Sequence, residues 1–239
     1  MAADTPTIGL VVPPAHGEVP QDAAALYGDR YRFIARGLGI AGVSPQGFAP
    51  VVDSIVERAV DLRRAGAEVV SMMGTSISFY RGPEFTESLR RAMEEATGVP
   101  CTTMSHAIVR ALRTLGVRRV AVATSYIDEL NDRLVDYLTH AGITVTAIEG
   151  MSITGVQEVG EVGTEALVAL AHKVHAQDPS AEGIFISCGG LLTLDAIHRL
   201  EDELGLPVTA SSPAGFHDVV QSGGWDASSA RGGRLFAPR

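Results

Sequence analysis

The feature that most constrains this chain is that it is written twice. TIGLVVPP (Thr7–Pro14) is similar to RRVAVATSY (Arg118–Tyr126), each a short β-rich run followed by a turn. AEVVSMMGTS (Ala67–Ser76) is similar to AEGIFISCGG (Ala181–Gly190). GVPCTTMS (Gly98–Ser105) is similar to GLPVTASS (Gly205–Ser212), with Gly, Pro, Thr and Ser in register. The three matches keep the same order in each half. A duplicated unit of about a hundred residues is an ordinary lobe size.

Helical patterns separate these strand-like runs. Ser44-Pro45 opens one, as N-cap and first helical residue. Its apolar residues Val51, Ile55, Val56, Ala59, Val60 and Leu62 recur at a helical period, and Gly66 closes it. Further helices are expected over 83–97, from Ser105 to Gly116, over 126–141, over about 156–176 and over 191–204. Strands alternating with helices imply parallel sheets covered on both faces, hence two similar α/β lobes. Ligands of such sheets bind beyond the carboxyl ends of the strands. Pro13-Pro14, Gly74-Thr75-Ser76, Thr124-Ser125-Tyr126 and Cys188-Gly189-Gly190 occupy those ends and should converge on one cleft. The segment after Gly223 reads as a loop or loose terminus.

With the repeats in register, Gly74 falls opposite Cys188. A thiol on each side of a cleft could take a proton from one face of a carbon and return one to the other. Here only one side carries a thiol. Thr75, Ser76 and Tyr126 add hydroxyls. Gly189 and Gly190 leave backbone N–H groups open to close approach, and helix starts after the second-lobe tips should add partial positive charge. These make an anion hole without Lys or Arg. No Lys, Arg or His adjoins Cys188 in sequence, so the thiol should stay neutral and suit proton donation to a carbanion or enediolate. Decarboxylation creates that species without a base.

Composition excludes several classes. The net charge of −9, with no basic stripe, argues against nucleic-acid binding. Two cysteines do not make a disulfide scaffold, and the apolar run Ile8–Val12 is too short for a signal-peptide core or a membrane span. A cytoplasmic protein with reduced thiols and no membrane partner is expected. Cys101 reads as packing within a strand. GLGIAG (Gly37–Gly42) fits G-x-G-x-x-G but lies far from the first strand tip, so no dinucleotide is expected. His172 and His175 share a helix without a carboxylate or cysteine to complete a ligand set, so no metal is expected.

The runs TPTIGLVVPPA, GLGIAGVSPQGF, VVSMMGTSISFYRG, GVPCTTMS, LGVRRVAVATSYID, SITGV and SCGGLLTLDAI…SSPAGF closely resemble the arylmalonate decarboxylase family, within the aspartate/glutamate racemase superfamily. The resemblance spans nearly the whole chain. It implies two pseudo-symmetric lobes, each a four-stranded parallel sheet flanked by helices, with the active site in the cleft between them. Residues 1–104 plus 212–239 would form the first lobe and 105–211 the second. It implies action without cofactor on a small dicarboxylate: one carboxylate is removed from an α-aryl-α-methyl malonate, giving a single enantiomer of the monoacid; separately from the resemblance, a monomer is expected. Cys188 would be the proton donor. Thr75, Ser76, Tyr126 and the N–H of Gly189 would hold the retained carboxylate. The departing one would sit in an apolar pocket of Ile40, Val43, Phe48, Val156 and Val159, and Pro13, Pro14 and Gly190 would border the aryl group. Gly74 would mark a decarboxylase, since a racemase of the superfamily carries a second cysteine there. Ile40, Phe48, Ile77 and Val159 differ from the family pattern yet keep the pocket apolar, and His16 replaces a small residue, which leaves the preferred aryl group open. Two alternatives stand beside this: a racemase or cis–trans isomerase of the same superfamily, and a two-lobed small-acid binding protein that needs no thiol.

Overall fold

The computed structural model of the protein describes residues 5–238. Residues 1–4 and 239, the outer ends assigned above to the first lobe, lie outside the described residues. The first half contributes β1 (Thr7–Val12), β2 (Arg32–Gly37), β3 (Val69–Met72) and β4 (Cys101–Thr103), with α1 (Asp22–Tyr27), α2 (Pro45–Phe48), α3 (Ile55–Arg64), α4 (Thr75–Phe79) and α5 (Pro83–Thr97) between them. After α6 (Met104–Thr114), the second contributes β5 (Arg119–Thr124), β6 (Thr144–Gly150), β7 (Gly183–Ser187) and β8 (Val208–Ala210). The intervening helices are α7 (Asp128–His140), α8 (Val156–Gly160), α9 (Thr164–Gln177) and α10 (Leu194–Leu204), and α11 (Ser211–Ser222) follows β8.

The two halves form separate four-stranded sheets with equivalent orders, β2-β1-β3-β4 and β6-β5-β7-β8, and every neighbouring pair is parallel. The interior strands are buried along almost their whole length, as the near-continuous apolar runs of a covered parallel sheet require. The duplication extends to single contacts. Gly98 and Gly205 both end a helix in the left-handed conformation, donating to Glu94 O and Glu201 O at 2.8 and 3.1 Å. The side chains of these glutamates each accept the N–H of a strand residue, Cys101 at 3.2 Å and Val208 at 3.1 Å.

Each sheet's last strand runs straight into a long helix, and these two helices, α6 and α11, pack on each other. α6 also touches β8, while α11 touches β3 and β4, so the pair laces the halves together. A buried carboxylate anchors the crossing: Asp218 on α11 accepts from Thr102 Oγ1 at 2.5 Å and from Arg110 Nη1 of α6 at 2.9 Å.

Several expected helices differ. The one opened by Ser44-Pro45 does start there, with Ser44 Oγ accepting from Gly47 N at 3.2 Å, but it ends at Phe48. Pro50 cannot continue it, so a 3-10 turn over Val52–Ser54 precedes α3. The helix expected over 156–176 is two, α8 and α9, divided where Gly160 and Gly163 fall. α6 is capped by Thr103, whose Oγ1 accepts from His106 N at 3.3 Å, rather than by Ser105.

The segment after Gly223 is packed, not loose. Tyr31 Oη and Tyr27 Oη donate to the carbonyls of Asp226 and Ala227 at 2.7 and 3.3 Å, and Ser229 Oγ donates to Leu26 O at 2.7 Å. Further on, Arg234 N and Nη1 donate to Glu201 Oε2 and Gly205 O at 3.1 and 2.9 Å, and Leu235 and Phe236 are buried. The chain's last turn thus joins α1 of the first half to α10 of the second.

Candidate active site

Cys188 directly follows β7, and its φ is +154°, a backbone conformation L-residues rarely adopt. Its N–H donates to Ser211 Oγ at 3.2 Å, and its carbonyl accepts from Leu191 N at 3.3 Å. Strain of this kind costs on the order of 1–3 kcal/mol and persists where the surroundings hold it. The glycines behind it leave room that side chains would take. A Cβ on Gly189 would stand 3.2 Å from Met104 Sδ, and one on Gly190 would stand 3.1 Å from Val159 Cγ1. At the equivalent tip of the first half, a Cβ on Gly74 would meet Ile77 Cγ2 at 2.5 Å, Met72 Cε at 2.6 Å and Pro13 Cγ at 3.1 Å. Side chains, rather than an empty slot, occupy the space where a second thiol would go.

These tips open on one cavity of about 440 Å³ between the sheets. Of the residues singled out by sequence, Pro13, Pro14, Ile40, Val43, Phe48, Gly74, Thr75, Ser76, Val156, Val159, Cys188, Gly189 and Gly190 all line it. The connection after β2 brings Ile40, Val43 and Phe48, and α8 brings Val156 and Val159. Ile77 joins them. Val43 is fixed by a hydrogen bond from its N–H to Thr154 O across the halves at 2.8 Å.

Tyr126 is placed differently. It is fully enclosed and does not line the cavity; its ring packs edge-on to Phe79, and its hydroxyl lies among the side chains of Ser187, Thr75 and Ser76 beside Cys188. Ser187 Oγ donates to it at 3.3 Å. The Thr124-Ser125 tip likewise stands behind the wall. Thr75 lines the cavity with its hydroxyl turned onto Met104 Sδ at 2.7 Å. Of the tips at Pro13, Gly74, Thr124 and Cys188, only that at Gly74–Thr75 runs directly into a helix, α4. α7 and α10 start at Asp128 and Leu194, residues beyond their tips, so the partial positive charge expected after the second-lobe tips is set back from them.

Burial is the largest influence on the Cys188 thiol and pushes its pKa up, opposed by the Ser125 hydroxyl, the Gly190 N–H and the Tyr126 hydroxyl. Burial also pushes Tyr126 well above the usual phenol range. No Lys or Arg lines the cavity. The sulfur is therefore held as a neutral acid beside hydroxyl and amide donors, an arrangement suited to protonating carbon rather than to nucleophilic attack. Among the described residues, no group of three His, Cys, Asp or Glu side chains is gathered to hold a metal, and no helix is long and apolar enough to cross a membrane.

The sequence reading missed Met73, Met104, Asp22, Ser211 and Ser212. Ser211 and Ser212 lay within the third repeat match, at the positions of Met104 and Ser105. That register was the available signal. Nothing distinguished Asp22 from a solvated helix residue.

The profile of one family, described as arylmalonate decarboxylase, matches residues 8–236. An arylmalonate decarboxylase from Bordetella bronchiseptica is 52% identical over 235 residues, covering 98% of both chains. A solved structure of a Gly74Cys-Cys188Ser mutant of arylmalonate decarboxylase, in the liganded form, superposes with a TM-score of 0.95 at 51% identity, covering 97% of this chain and 99% of that one. The maleate isomerase Iso from Pseudomonas putida S16 shares the fold at a TM-score of 0.88 and 22% identity, covering 97% of this chain and 98% of that one.

Proposed function

The chain belongs to the arylmalonate decarboxylase family, and from that premise we propose that this carboxy-lyase removes one carboxylate from α-aryl malonates and protonates the resulting enediolate on one face from Cys188. The observation that carries the reading is a single buried thiol, kept neutral, on the wall of a cavity whose equivalent tip is Gly74.

In this scheme the retained carboxylate takes hydrogen bonds from the hydroxyls of Thr75 and Ser76 and from the N–H of Gly189. Tyr126, behind them, fixes the hydroxyl cluster through its own hydroxyl. Thr75 turns from Met104 to its ligand, exchanging a weak sulfur acceptor for a charged oxygen. The departing carboxylate lies against Ile40, Val43, Phe48, Ile77, Val156 and Val159, which offer it no hydrogen bond. A carboxylate is poorly stabilised there, and its conversion to neutral CO2 removes the penalty. The C–C bonding pair passes to the retained carboxylate as an enediolate, which the surrounding donors stabilise. The Cys188 proton then goes to the α-carbon, and the thiolate regains a proton from water. The balance closes without metal or organic cofactor. Delivery from one side gives one enantiomer.

A racemase or isomerase using two facing cysteines finds its second sulfur missing. The other cysteine, Cys101, sits in β4 against Thr97, away from the cavity.

The test is CO2 release from phenylmalonate and methylphenylmalonate with chiral analysis of the acid formed. The wild type is expected to give one enantiomer, and Cys188→Ser to lose turnover steeply, because an alcohol is a far poorer acid than a thiol. Full turnover in Cys188→Ser would remove the thiol from the mechanism. Rapid racemisation of a 2-arylpropionate with α-deuteration in heavy water would favour the racemase reading.

A further inference from the structure

Asp22 and Ser212 give the cavity a polar end that the reaction leaves unused, and we infer that this end receives a hydrogen-bond donor carried on the substrate's aryl ring: a phenolic O–H, an anilino N–H or an indole N–H. The inference rests on the decarboxylase reading above and specifies the ring that the site takes.

Both residues line the cavity, and they are only 5% and 2% exposed. Ser212 Oγ donates to Asp22 Oδ2 at 2.5 Å. No described residue donates to Oδ1. A carboxylate withdrawn from water is costly unless its oxygens are filled. Burial accordingly pushes this carboxyl's pKa up, and no Lys or Arg on the wall offsets the charge. A donor on the bound molecule supplies the missing partner. A ring acceptor such as a nitro group or a further carboxylate would meet the same oxygen unfavourably.

Position supports the assignment to the ring. Asp22 ends the β1–α1 connection that begins with Pro13-Pro14, the residues proposed to border the aryl group. Ser212 follows Ser211, which holds the Cys188 N–H, so the pair lies on the thiol's side of the cavity. The repeat sharpens the point. Ser105, the first-half equivalent of Ser212, shares a 2.5 Å hydrogen bond with Ser78 inside the protein. In the second half the same position instead turns to a carboxyl on the cavity wall.

The experiment compares methyl(phenyl)malonate with its 3- and 4-hydroxyphenyl and 3- and 4-aminophenyl analogues, as ratios of kcat/KM within the wild type and within Asp22→Leu. Binding of phenylacetate and of the hydroxyphenylacetates is measured in parallel by calorimetry. We expect the wild type to favour at least one donor-bearing ring by about tenfold or more, as hydrogen bonds to charged groups do. Asp22→Leu should abolish or reverse that preference. Asp22→Asn, nearly identical in shape, serves if the leucine variant does not fold, and should show a reduced preference. Equal ratios in wild type and variant would overturn the inference. If no arylmalonate releases CO2, the decarboxylase reading fails; the calorimetric preference, and its dependence on Asp22, still decides this one.

Discussion

The N–H of Cys188 donates to the hydroxyl of Ser211 at 3.2 Å, tying the strained tip after β7 to the first residue of α11. Ser211→Ala leaves that buried donor without an acceptor. A stability loss of about 1–3 kcal/mol is expected. As a positioning residue, Ser211 should affect kcat more than KM, and Ser211→Thr should recover most of the loss. Urea unfolding and steady-state kinetics on the two variants check this; an unchanged kcat in the alanine variant would show that the tether does not aim the sulfur.

Moving the sulfur to the other half should invert the product. In Gly74→Cys/Cys188→Ser the proton arrives from the opposite face, so chiral analysis should show the other enantiomer. The new Cβ must displace Met72 Cε, the free end of a flexible side chain, and Ile77 Cγ2, a methyl on a stiff branched carbon that moves only with the rotamer or backbone of Ile77. Overpacking of this size costs about 1–3 kcal/mol, so the variant should fold with a lowered melting temperature. Retention of the original handedness would contradict delivery from facing tips.

Alkaline pH should remove activity through Cys188 and stability through both cysteines, since burial raises both thiols above their unfolded value. Cys188 must carry its proton to donate it, and burial raises its pKa from the ordinary 9.0. Its kcat should therefore hold through that value and fall only at higher pH. Cys101 is pushed from 9.0 up to about 11, chiefly by burial. Between those values the unfolded chain releases a proton that the folded chain keeps. The unfolded state then binds fewer protons, and stability falls as pH rises. Urea midpoints across this window should decline less in Cys101→Ala than in the wild type.

Asp218 is 4% exposed in its side chain, while its partner Arg110 is 52% exposed. Asp218→Ala lets Arg110 rehydrate but strands the buried Thr102 hydroxyl. Destabilisation of about 1–3 kcal/mol is expected by chemical denaturation. Adding Thr102→Val should restore part of it, because an absent polar group costs less than an unsatisfied one.

The duplication and the interior strands were legible because covered parallel strands are runs of apolar residues that tolerate little variation. β2 and β6 were harder to place. They lie at sheet edges and are half-exposed, so polar residues such as Arg32, Arg36 and Glu149 interrupt them. Pro50 and the pair Gly160 and Gly163 carried visible warnings of broken helices, but the apolar period ran across them. Cys188, Gly74 and the hydroxyls at strand tips stood out through repeat register. Asp22 did not, since its burial depends on α11 folding back over the first sheet. Trp225, Leu235 and Phe236 were the overlooked sign that the final segment packs.

That final segment has a mechanical consequence. It is fastened by Tyr27, Tyr31 and Leu26 at one end and by Glu201 and Gly205 at the other, so it works as a strap across the seam. Any swing of one sheet away from the other must break one of these two attachments. The strap therefore adds, far from the cavity, a cost of several hydrogen bonds to any hinge motion between the two sheets.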